Sequence, residues 1–318
     1  MEQVLPVFSF PTSIVCVDDN QLFLKSITHQ LGKNSNIPIK SIKTFNSPKE
    51  CLSFLKDYKS AVSSKDFICG NQSHEIQDHL GYTPINIDFS KLHKLNSEDV
   101  SREISILIID FDMPGMNGLE LCRQLKNFPA KKILLTGRVE LSQPVEAFNN
   151  GIIDCYLNKE SKDLINELAF HIERLSKNYF IDKTRILLEY LDVSNPSHLS
   201  DPVFADFFFR LCQKEKTISY CVVDNNGSIL MRDQNGNTSY LIVYTKKSLN
   251  DFLNTYDDEE FSEIRAEILN EGKIPFFGIQ VNPLKIETSL WRNHLYQWDI
   301  LNGTELYYWS LVRKNKDN

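Results

Sequence analysis

Four apolar runs in this chain stop on residues that could do chemistry. "SIVCV" (13–17) ends in Asp18 and Asp19, and "EISILIID" (103–110) ends in Asp110 with Asp112 two residues on. Further along, "KKILLTG" carries Thr136 near its end, and "DCYLNK" closes on Lys159. Carboxylates drawn together repel unless a cation sits among them, and a hard divalent ion such as Mg2+ suits an all-oxygen set. Beside such an ion a carboxylate can attack a phosphoryl group while an ammonium and a hydroxyl hold the phosphoryl oxygens. Phosphoryl transfer to an aspartate is the chemistry expected, with Asp110 and Asp112 both open as the acceptor at this level. Taken singly, each residue has a plainer reading: an Asp pair after a strand caps a helix, and a Lys in a loop is solvated.

The elements around these residues predict that they converge. After Asp18-Asp19-Asn20, Phe23, Ile27 and Leu31 recur at helical spacing. "IKSIKTF" (39–45) alternates as a strand does, and "SPKECLSFL" offers Ser47 as N-cap, Pro48 at the first helical position and Glu50 to complete a capping box. The strand at 103–110, a helix from Gly118, the strand at 131–137, a helix around 142–150, the strand at 154–159 and a helix from Ser161 continue the alternation. Near-continuous apolar strands alternating with helices predict a parallel sheet covered on both faces, a doubly wound, flavodoxin-like α/β domain over residues 10–178. Its five strand ends then share one edge. Residues 57–103 break the rhythm as an insertion, read as a surface excursion. Cys69, His74, His79 and His93 within it lack the paired spacing of a structural zinc site.

With these residues in place the sequence resembles the receiver domain of two-component response regulators. "IVCVDDN" is similar to that family's acidic pair, "LIIDFDMPGMNGLEL" to its acceptor motif, "ILLTG" to its hydroxyl motif and "CYLNK" to its aromatic-to-lysine motif. The resemblance implies Asp110 as phospho-acceptor and Mg2+ held by Asp19 directly, Asp18 through water, Asp110, and the backbone carbonyl of Asp112. It implies Thr136 as the hydroxyl that moves toward phosphate, Lys159 as its ion-pair partner and Tyr156 as the aromatic switch. A sensor histidine kinase or phosphotransfer protein is the implied partner, and the chain itself is not an enzyme. Glu160 follows Lys159 where the family usually has proline, so the last loop is expected to differ.

Ile165, Leu168, Ile172, Leu175 and Tyr179 form a short heptad seam that either pairs two copies as a homodimer or packs on its own domain. A helical linker is expected over 179–200 and an α+β antiparallel-sheet output domain over 201–318. There "ISYCVVDNNGSILMRDQNGNTSYLIVY" reads as a meander and "LYQWDILNGTELYYWSLV" as an aromatic hairpin. The opening turn and the helix-to-strand segment are loosely similar to PAS domains, which would make this half a ligand sensor. From Val193 onward, 13 Lys or Arg stand against 17 Asp or Glu, which disfavours DNA as the output partner. The start of the sequence does not read as a secretion signal, no run is long and apolar enough to span a bilayer, and the seven cysteines are odd in number and scattered. A cytoplasmic, reduced protein is expected. The alternatives are a phosphorylation-independent scaffold or sensor and a DNA-binding regulator with an atypical output domain.

Overall fold

The computed structural model describes residues 4–33, 39–60, 62–63, 67–70, 85–88, 91, 102–137, 142–194, 196–256, 259–278, 281 and 283–314. They divide into two compact units, one of Phe10–Ser63 and Ser97–Asp182, the other of Met1–Ser9, Ser64–Asn96 and Lys183–Asn318.

The first unit runs β1 (Thr12–Val17), α1 (Gln21–Lys33), β2 (Ile39–Phe45), α2 (Pro48–Asp57), β3 (Ile104–Asp110), α3 (Gly118–Gln124), β4 (Lys131–Thr136), α4 (Ser142–Asn149), β5 (Cys155–Asn158) and α5 (Leu164–Ser194), the last continuing into the second unit. All strand pairings are parallel, in the order β2-β1-β3-β4-β5. This is the sheet that the sequence predicts. β1 and β3 are buried at every position, as strands covered on both faces must be. One face packs Val15, Leu107 and Leu134 with α2 and α3; the other packs Ile14, Ile106 and Ile133 with α1 and α5. Ser47 caps α2 through the Glu50 amide, with Pro48 opening the helix. On α1 the buried positions are Leu24, Ile27 and Leu31, so the core stripe begins one residue later than the Phe23-based spacing suggests.

The heptad seam of α5 is spent inside its own unit. Leu168, Ile172 and Leu175 are fully buried in the core cluster with β1, β3 and β4, Ile165 packs against that cluster, and the Tyr179 hydroxyl donates to the buried carboxylate of Glu103. Glu103 also accepts from Tyr58 Oη at 3.1 Å and Ser60 Oγ at 2.8 Å. The seam is therefore not a surface for a second copy.

The second unit holds an antiparallel sheet ordered Phe8–Ser9, β6 (Thr217–Val222), β7 (Ile229–Asp233), β8 (Thr238–Thr245), β10 (Leu306–Lys314), β9 (Asp299–Asn302). The meander and the closing hairpin lie where the sequence puts them. Gly227 and Gly236 take positive φ in the two meander turns. α6 (Pro202–Lys214) lays Phe208 edge-on to Tyr220 and Phe207 against Trp309. α7 (Lys246–Thr255) and α8 (Ser262–Glu271) belong to this unit too, as does a small aromatic core around Trp291.

This unit takes residues that the 201–318 boundary leaves out. Leu5, Val7 and Phe8 are wholly buried, and Phe8 pairs with Cys221 across the first strand of the sheet. Phe67, inside the inserted stretch, stacks edge-on to Phe8 at 5.7 Å, and Ile68–Gly70 pairs with Ile85–Ile87. Part of the insertion is thus core rather than surface excursion, because Phe8 gives Phe67 an apolar partner. His74, His79, His93 and the side chain of Cys69 lie outside the described residues. No helix among the described residues is long and apolar enough to cross a membrane.

Candidate functional site

Each chemically competent residue sits where a parallel strand gives way to a loop, and the neighbouring strand pins its backbone. The Asp18 amide donates to Phe45 O at 3.1 Å, the Phe111 amide to Leu135 O at 2.8 Å, and the Lys159 amide to Thr136 O at 2.9 Å. Loops of a parallel sheet all leave from the same edge, so side chains far apart in sequence converge. Asp18, Asp19 and Asp110 each bring a carboxylate oxygen to within 4.8 Å of the others. Asp18 and Asp110 are buried, and Asp19 is exposed at the rim. Lys159 Nζ lies 2.6 Å from Asp18 Oδ2 and 2.9 Å from Asp110 Oδ1. Thr136, the last residue of β4, is buried, and Asp112 is exposed in the loop after β3.

Two glycines shape the loop that follows β3. Gly115 follows Pro114 with φ +79°, the conformation that closes a Pro-Gly turn. Gly118 opens α3 with no room for a side chain: a Cβ there would stand 2.2 Å from the carbonyl oxygen of Asp110. Its amide donates to Phe111 O at 2.9 Å, while Asn117 caps the helix by accepting from the Glu120 amide at 2.8 Å. The sequence reading leaves Gly118 as a plain helix start, since its packing against the Asp110 backbone shows only in three dimensions.

Burial dominates the electrostatics of Asp110 and, with the charges of Asp18 and Asp19, outweighs Lys159 to raise its pKa to about 6. Burial alone would depress Lys159, but the hydrogen bonds and charges of Asp18 and Asp110 hold its pKa above the usual value. Three carboxylates against one ammonium leave the pocket formally negative, and the donors are all hard oxygens, so the residues present fit a small divalent cation. The arrangement can hold such an ion, offer a carboxylate as nucleophile and supply an ammonium and a hydroxyl beside it.

Tyr156 lies on β5, half-buried, its ring edge-on to Phe148 of α4 at 6.4 Å. It is not part of the acidic cluster. Two residues that the sequence reading did not assign to the site also belong to it. Asn20 caps α1 by accepting from the Leu22 and Phe23 amides, and its own amide donates to Asp18 Oδ1 at 2.9 Å. Phe23 places its ring beneath Lys159 Nζ, 4.6 Å from the ring centre. An Asn after an acidic pair is the available signal for the cap; nothing in the spacing marks Phe23 as other than core.

Residues 87–169 match the family model of the response regulator receiver domain. Heme response regulator HssR of Staphylococcus haemolyticus is 32% identical over 129 residues, 37% of this chain and 56% of that protein. HssR of a bovine Staphylococcus aureus strain is 37% identical over 134 residues, 42% of this chain and 58% of that protein. The chain thus spans a little over half the length of these curated relatives. The solved response regulator LqsR of Legionella pneumophila is similar along nearly the whole length, with 28% identity, a TM-score of 0.77, and coverage of 99% of this chain and 91% of that one. Parallel sheet, acidic edge and sequence likeness agree: the first unit has the fold of a response regulator receiver domain, and residues 87–169 match that domain's family model.

Proposed function

We propose that the protein is switched by phosphorylation of Asp110. A sensor histidine kinase or a phosphotransfer protein donates the group in the cytoplasm. An Asp110 oxygen attacks phosphorus, the donor's phosphorus–nitrogen bond breaks, and the imidazole leaves with a proton. The observation that supports this reading above all is the meeting of Asp18, Asp19 and Asp110 with Lys159 Nζ at 2.6 and 2.9 Å. Mg2+ held by Asp19, Asp110 and the Asp112 carbonyl, with Asp18 through water, would offset charge on the phosphoryl oxygens. Asp112 is the weaker acceptor candidate, because it lies exposed in the loop while Asp110 is buried beside the lysine.

Once Asp110 carries the group, Lys159 exchanges a carboxylate oxygen for a phosphoryl oxygen and Thr136 supplies its hydroxyl. Differential contact of these two side chains with the modified and unmodified site is what can shift a population between two receiver states. Tyr156 and the half-exposed Phe148 beside it would carry that shift to the surface, changing how the protein pairs with a second copy or a downstream partner. Incubation with Mg2+ and acetyl phosphate, read by intact mass, should add one labile phosphoryl group, cleaved by base or hydroxylamine as an acyl phosphate is, that Asp110→Asn abolishes. An unmodified chain, under conditions that label a control receiver, refutes the reading.

A further inference from the structure

Lys159 has a third partner besides the two carboxylates. The Phe23 ring lies 4.6 Å from Nζ, within the range in which an aromatic face attracts a cation. The ring is not there by loose packing. Asp18 Oδ1 accepts from the Asn20 amide at 2.9 Å; Asn20 Oδ1 in turn accepts from the Leu22 and Phe23 amides at 3.0 and 3.1 Å; and the Leu24 amide closes the first turn on Asn20 O at 3.1 Å. The same aspartate that ion-pairs with the lysine therefore fixes the helix start that carries the ring. Phe23 stays half-buried while Leu24, its neighbour, takes the core position.

We infer that Phe23 is a positioning residue for the phosphoryl acceptance proposed above, holding the Lys159 ammonium at the acceptor by a cation–π contact. This role rests on that reading. The ring suits it for a chemical reason. Asp110 loses its carboxylate character when it takes the phosphoryl group, and Asp18 is also called on to help hold a metal ion. The ring is asked for neither, so it can hold the lysine in place before and after transfer without neutralising the charge that the phosphoryl oxygens need. A side chain of equal bulk with no π face would fill the space but leave the partly exposed ammonium held by the two carboxylates alone.

The test uses the full chain with Phe23 replaced by mono-, tri- and pentafluorophenylalanine, which keep the ring's shape while draining its face of negative charge. At saturating Mg2+, the initial rate of Asp110 labelling by acetyl phosphate should fall stepwise, by about three- to tenfold at the pentafluoro ring. Phe23→Leu should fall by a similar factor, and Phe23→Tyr should label like the unsubstituted protein. In metal-free protein the ε-methylene protons of Lys159 should be shifted upfield by the ring, and Phe23→Leu should abolish that shift. Labelling that is indifferent to fluorine, or a Phe23→Leu rate equal to that of the unsubstituted chain, refutes this role alone. Failure of the unsubstituted chain to label refutes the phosphoacceptor reading and this role with it.

Discussion

Replacing Phe8 by Ala should unfold the second unit at a much lower denaturant concentration, although Phe8 stands almost at the start of the chain. The side chain is wholly buried, its ring lies edge-on to Phe67 at 5.7 Å, and its strand pairs with Cys221 and Tyr220. Removing a buried Phe costs about 3–5 kcal/mol, from lost transfer energy and the cavity left behind. With a urea m-value near 2 kcal/mol/M, reasonable for a unit of this size, the midpoint should drop by ~1.5–2.5 M. The assay is simple because all three tryptophans, Trp291, Trp298 and Trp309, belong to the second unit. Their emission therefore follows that unit alone, while labelling of Asp110 reports the receiver. Phe8→Ala should shift the tryptophan transition and leave acetyl phosphate labelling in buffer unchanged. A midpoint within ~0.5 M of the unsubstituted protein would show that the first residues merely lie alongside the unit, and the reasoning would fail.

Gly118→Ala should destabilise the receiver by about 1–3 kcal/mol, because the new methyl group meets the backbone carbonyl of Asp110 rather than a side chain that can turn aside. A lowered Tm together with slower Asp110 labelling is the expected result, and an unchanged pair of values would contradict it. The pH dependence of the second unit should carry the mark of His198. Burial lowers its pKa from 6.5 to about 4, while its Nε2 donates to Gly227 O at 3.0 Å. The unfolded chain binds this proton first, so stability conferred by the neutral ring is complete above pH 6.5 and is lost as pH falls toward 4, by about 3 kcal/mol in all. Urea midpoints followed by tryptophan emission should show this loss in that window, and a His198→Gln variant should show it reduced.

The receiver sheet and its acidic edge were legible because the information is local. A β-branched run that stops on Asp18-Asp19 or Asp110 announces both a strand and its end, and parallel connectivity then supplies the convergence. The capping of α2 by Ser47 is a local signal too. What escaped was long-range or shape-dependent. Two residues, Phe8 and Ser9, are too few for any periodicity, and their partners at Tyr220 and Cys221 leave no trace near them. Phe67 stands in a polar stretch, where no local pattern marks it as core. The α5 seam has the same pattern whether it meets another copy or its own sheet, and only burial against Ile106 and Ile133 decides. Phe23 and Leu24 both suit a helix face, and one residue's rotation sends the first to the lysine and the second to the core.

The route of the chain between the units carries a consequence for how the protein is made. Residues 4–9 leave the ribosome well before the strand they border, which emerges roughly two hundred residues later, ~10–40 s at ordinary rates of synthesis. In that interval an apolar hexapeptide waits unpaired while the receiver beside it is completed. A cell that hurries or stalls translation of this message changes how long that sticky segment is exposed, and shortening the wait by circular permutation should raise soluble yield.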